Sequence, residues 1–190
     1  MTTTFDFGYG PVPAHQHTNG GGWVADSAAV DDSAYVGPNA QVYGNALVSG
    51  EARVSGNARV SGNARVYGNA LVYGEARVSG NARVYGEAQV YGNAQVYGNA
   101  RVYGNARVYG DAQVYGNARV EHPRDFVVIG PLGSRGAYLT WTRSDNCIAT
   151  GCFRGTAAQF LVAVAATHGD NEHARAYRAA AAFLETLNGG

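Results

Sequence analysis

Valine occupies every sixth position from Val24 to Val120 without one insertion or deletion. Alanine holds a second phase of the same period, from Ala28 to Ala118, and glycine a third, from Gly44 to Gly116. A fourth phase carries Asn, Glu or Asp from Asn39 to Asn117. The unit reads Ala64, Arg65, Val66, Tyr67, Gly68, Asn69. Regularity of this kind signals a repeat architecture and overrides any local assignment of secondary structure.

The period excludes a helix. Six residues at about 100° each leave successive valines roughly 240° apart, so they spread around the cylinder. A strand accommodates it, because Ala and Val two apart point to one side and the Arg and Tyr flanking Val to the other. Gly-Asn supplies the bend. Each hexapeptide is therefore expected to form one short strand and a corner, and three of them an 18-residue triangular coil. The interior is Val and Ala, the exterior Arg and Tyr. Residues 22–120 give about five to six coils, and a prism about 25 Å long at the strand spacing of about 4.8 Å.

On these residues the chain resembles the hexapeptide-repeat proteins that form left-handed parallel β-helices, in which an aliphatic residue recurs every six with a small residue two before it, as Val66 and Ala64 do. The resemblance implies a mainly β fold, left-handed winding and a homotrimer. The hand comes from the resemblance alone, since the general crossover rule gives the opposite one. Tyr or Ser follows the valine in most repeats, where the family more often has Gly, Ala or an acid. The layout also looks like uncharacterised proteins of phages and prophages. They share an opening like residues 13–24 (PAHQHTNGGGWV) and a tail like Gly151-Cys-Phe-Arg-Gly-Thr156 with Thr167-His-Gly-Asp-Asn171. This implies an accessory protein in a host cytoplasm.

A solenoid end exposes strand edges and core, so each end needs a cap. Residues 1–21, with Phe5, Phe7, Pro11 and Pro13, read as the N-terminal cap, residues 22–121 as the β-helix and residues 122–190 as a small α+β domain. Strands are expected at 125–129, 137–143 and 147–153. Thr156 and Gln159 form a capping-box pattern for a first helix ending at Gly169, and Asp170 or Asn171 starts a second helix through Ala174–Leu187 that stops at Gly189-Gly190. The expected unit has three strands and two helices.

Composition narrows the function. All 14 basic residues are arginine, 14 acids balance them, and lysine is absent, which excludes a generally basic nucleic-acid coat. A hydrophobic share of 46% excludes a disordered chain. No apolar run nears the roughly 20 residues of a membrane span, and the opening residues lack a secretory pattern, so a soluble cytoplasmic protein without membrane contact is expected. The acyltransferases that the repeat resembles use a histidine base between trimer subunits. Here no histidine, lysine or cysteine lies between His17 and His122, so no enzyme activity and no cofactor are expected. Acyl transfer stands as the second alternative. His15 and His17 read as a polar loop rather than a metal pair, and no metal site is expected. Cys147 and Cys152 should face opposite sides of one strand. Arg154, beside Thr156 at a helix N-terminus, is a candidate anion contact.

The coil exterior carries the site candidates. With 18 residues per coil, one column reads Ala29, Leu47, Arg65, Arg83, Arg101, Arg119, and two residues on, Asp31, Ser49, Tyr67, Tyr85, Tyr103, Glu121. The bordering corner is an amide column, Asn45, Asn63, Asn81, Asn99 and Asn117, while Glu51 and Glu87 across the face give partial compensation. Stacked guanidinium groups repel unless something intervenes. Three readings follow. The array packs against copies of the chain, giving an assembly protein; it sequesters a nucleotide or other anionic aromatic ligand, such as a signal of host defence; or each arginine lies over a tyrosine on a solvated face. The ligand-binding candidates are Arg65, Tyr67, Arg83, Tyr85, Arg101, Tyr103, Arg119 and Arg154, with self-association the leading expectation.

Overall fold

A computed structural model describes residues 3–188. From Trp23–Ala25 to Arg119–Val120 the chain winds as a parallel β-solenoid with three sheets. Each hexapeptide contributes one strand centred on Xaa-Val, and successive coils pair 18 residues apart, as in Val66 with Val84. The three sheets take six, six and five of these strands, which makes between five and six turns. Three backbone bonds per repeat tie coil to coil. In one repeat, Arg65, Tyr67 and Asn69 donate to Ala82, Val84 and Gly86 at 2.9, 3.0 and 2.9 Å.

The alternation that suits a strand also builds the core. Valines from Val36 to Val120 are fully buried, with Ala34 to Ala118 between them, in one continuous column. Corners need glycine for two reasons. At Gly56 φ is +63°, and a Cβ would lie 2.9 Å from both the backbone nitrogen and the oxygen of Gly74.

The N-terminal segment adds an antiparallel hairpin, Thr4–Asp6 with Pro11–Gln16, to the first strand of the solenoid. Phe5 stacks on Trp23 and Phe7 on Tyr43, so the hairpin grips the outside of one sheet. His17 is buried with Nε2 3.0 Å from the Ala34 carbonyl, while His15 Nδ1 sits 3.0 Å from Asp26 Oδ1, so the two imidazoles serve different partners.

After Val120 the periodicity stops at the short helix Pro123–Asp125, where Asp125 Oδ2 accepts from the Glu121 and His122 amides. Phe126 then closes the solenoid core. The following unit has four antiparallel strands, Phe126–Leu132, Ala137–Thr142, Cys147–Thr150 and Phe153–Thr156, and two helices, α1 (Ala157–His168) and α2 (Glu172–Asn188). The expected third strand is thus two strands. Gly151, at φ +53°, turns the chain with Cys152, which lies exposed in the turn rather than on the strand of Cys147. The capping box at Thr156 and Gln159 is present, and Asn171 Oδ1 caps α2 through the Ala174 amide. The helix stop expected at Gly189-Gly190 lies outside the described residues.

One face of this sheet packs Leu139, Trp141 and Ile148 against the helices. Its other side and the turn after its second strand offer hydroxyls to the last coil, whose amides have no further coil to pair with. Gln113 donates to Thr140 Oγ1 at 2.9 Å and Arg119 to Ser144 Oγ at 2.7 Å. No helix among the described residues is long and apolar enough to cross a membrane.

Candidate functional site

The winding brings the candidate arginines together. Arg65, Arg83, Arg101 and Arg119 pair directly strand to strand, with Leu47 preceding them. All four are exposed. None belongs to an ion pair among the described residues, and Glu51 and Glu87 make none either. The amide ladder forms at the neighbouring corner, each Asn donating to the next at 3.2–3.4 Å.

The tyrosines do not take up the arginines. Tyr67 and Tyr85 stack at 4.9 Å with planes 1° apart, and Tyr85 and Tyr103 at 5.2 Å and 7°. The rings satisfy one another along the column, which leaves the guanidinium groups beside them. Burial raises the Tyr67 hydroxyl above the usual tyrosine range and Tyr85 adds to this, while Arg83, Arg101 and Arg65 oppose it. Burial also raises Tyr103, helped by the carboxylate of Glu121.

Arg154 stands apart from this row. It lies on the strand Phe153–Thr156, before the first helix, and reaches the sheet that begins with Trp23–Ala25. Its guanidinium donates to Tyr97 Oη and Gln113 Oε1, and to the Gly151 carbonyl at 2.8 Å. It lies over the rings of Tyr97 and Tyr115, at 5.7 and 5.4 Å from their centroids. The guanidinium proposed as an anion contact is thus engaged with the solenoid and the Gly151 carbonyl.

That same sheet holds a feature that reading the columns for charge passed over. Its outward column after valine runs Tyr43, Ser61, Ser79, Tyr97, Tyr115, so two rings are missing from the stack. Beside the serines stand Arg59 and Arg77, paired strand to strand. The result is a hollow of about 450 Å³ walled by Tyr9 and Tyr43 at one end and Tyr97 and Arg154 at the other. No carboxylate lines it. The signal was present as the pair Ser61 and Ser79 between tyrosines, but only the N-terminal hairpin and Arg154 turn the gap into a cavity.

Comparison with known proteins agrees with this architecture. Residues 40–51, 52–66, 64–75, 76–92, 94–110 and 112–124 match the family model described as YdcK Beta solenoid repeat. The repeat is a β-solenoid repeat. No curated protein and no solved structure matches the chain.

Proposed function

We propose that this chain is a non-catalytic docking protein that assembles with copies of itself through the face of Arg65, Arg83, Arg101 and Arg119. The observation carrying this reading is the row of guanidinium groups in strand register, outside every ion pair among the described residues, beside tyrosines already stacked on one another. Four like charges at about 4.8 Å intervals favour any neighbour that supplies π-faces or carbonyl oxygens. A second copy supplies both. Tyr and Arg are among the residues enriched at such interfaces, and a rigid solenoid loses little entropy on docking.

The chemistry of the coils supports binding over catalysis, because no imidazole, amine or thiol lies between His17 and His122 to move a proton. The resemblance to hexapeptide-repeat proteins favours three copies, and the phage-like ends favour an accessory protein acting in a host cell. Sedimentation velocity tests the reading. A species of three times the 19.9 kDa chain mass is expected, falling to a single chain in R83E/R101E with unchanged circular dichroism. A single chain at every concentration overturns it.

A further inference from the structure

We propose that the hollow on the Arg59 and Arg77 face binds a nucleoside diphosphate, with its base in the gap of the tyrosine stack and its phosphates on the two arginines. This goes beyond the assembly reading and stands on a different face. Tyr43 and Tyr97 lie three coils apart, about 14 Å at about 4.8 Å per coil. In the run Tyr67, Tyr85, Tyr103 on the neighbouring face, each coil carries one ring stacked on the next. Ser61 and Ser79 leave two such places open, enough for a planar base in contact with a tyrosine.

Both walls are held before any ligand arrives. Tyr43 stacks on Phe7 at 4.9 Å, and Tyr97 on Tyr115 at 5.7 Å with Arg154 across both. Tyr9 projects from a loop whose three amides, Gly8, Tyr9 and Gly10, donate to Asp6 Oδ1 at 2.7–3.1 Å. A site that needs little ordering keeps more of its contact energy as affinity.

Charge and spacing select the ligand. Arg59 and Arg77 are exposed and outside every ion pair among the described residues. The nearest corner acid on their flank, Glu75, accepts from Asn57 Nδ2 at 2.6 Å. Each arginine precedes its serine by two residues, about 6.6 Å along a strand, the span a ribose bridges between base and phosphate. Guanidinium groups one coil apart offer paired donors to neighbouring phosphoryl groups. Aromatic walls with arginines recur wherever proteins hold bases without reading their sequence.

Isothermal titration calorimetry at low salt tests this with adenosine diphosphate, pyrophosphate, adenosine and a ten-nucleotide single strand. Adenosine diphosphate is expected to bind at least about tenfold more tightly than pyrophosphate or adenosine, because each lacks half of the contacts. R59Q/R77Q and S61Y/S79Y should each weaken it by about tenfold or more, by loss of charge and by filling the gap respectively. Both pairs put in residues that the same two columns already carry, Gln95 and Tyr97, so folding is preserved. R107Q, on the third sheet, should leave binding unchanged. No heat with adenosine diphosphate at millimolar concentration overturns the proposal, as does equal binding of pyrophosphate or full binding by S61Y/S79Y. Tighter binding of the single strand than of the diphosphate overturns the small-ligand assignment.

Discussion

At the scale of single residues, the corner glycines separate two costs that are usually mixed. Gly56 and Gly110 share a left-handed φ, +63° and +62°, but a Cβ at Gly56 meets the backbone of Gly74 at 2.9 Å, and one at Gly110 meets nothing within 4 Å. Alanine at 110 should therefore cost only the conformational part, about 1 kcal/mol, and alanine at 56 about 2–3 kcal/mol, read by urea denaturation. Ionisation of the tyrosines gives a second expectation. Burial raises Tyr67, Tyr73, Tyr103 and Tyr115, the last to about 12, with the thiol of Cys147 contributing at Tyr115. The unfolded chain loses these protons near pH 10 while the folded chain keeps them. Stability is thus intact below about pH 10 and falls as pH rises towards 12. Melting temperatures from pH 8.5 to 11.5 should decline, and less steeply in Tyr115→Phe. Burial likewise raises the Cys147 thiol, so limited alkylation at pH 8 followed by mass spectrometry should mark the exposed Cys152 first.

At the scale of elements, the repeat was legible because it is a one-dimensional pattern whose partner lies at a fixed offset. Val, Ala, the Asn ladder and the arginine row all fell where an 18-residue coil puts them. The ends were legible only as elements. Helices α1 and α2 announced their caps, but nothing local told that Gly151 would divide a strand, or that Thr140 and Ser144 would accept from the last coil. Those bonds join residues 27 and 25 apart, outside the period, and depend on how two units meet. They carry their own expectation. Thr140→Val leaves the Gln113 amide unpaired in a buried seam, costing about 1–3 kcal/mol. Hydrogen exchange at Gln113 should speed up well before exchange in the central coils. Arg154 belongs to the same seam, and its bonds to Tyr97 and Gln113, 57 and 41 residues away, likewise had no local signal.

At the scale of the molecule, each coil touches only its neighbours, so stability is close to a sum over coils and their contacts. Two internal deletions test this sum. Removal of residues 68–85, one coil, keeps every later side chain on its own sheet, so both the cooperative melt and the proposed self-association should persist. Removal of residues 68–73 keeps the Val and Ala interior but sets Gln89 over Arg65. That variant should still melt cooperatively, and because Arg83, Arg101 and Arg119 move onto the column of Arg59, a row of four arginines persists on a different sheet. Loss of the cooperative melt in either deletion would count against a stability that sums over coils.

The hollow between Tyr43 and Tyr97 is closed at one end by the N-terminal hairpin and at the other by the C-terminal unit. Its two gateposts therefore belong to opposite ends of the chain and are aligned only by counting. An insertion or loss of one repeat between them turns one post a third of a revolution away from the other. Length in this protein can drift only in whole revolutions, and even then the doorway widens or narrows by one ring.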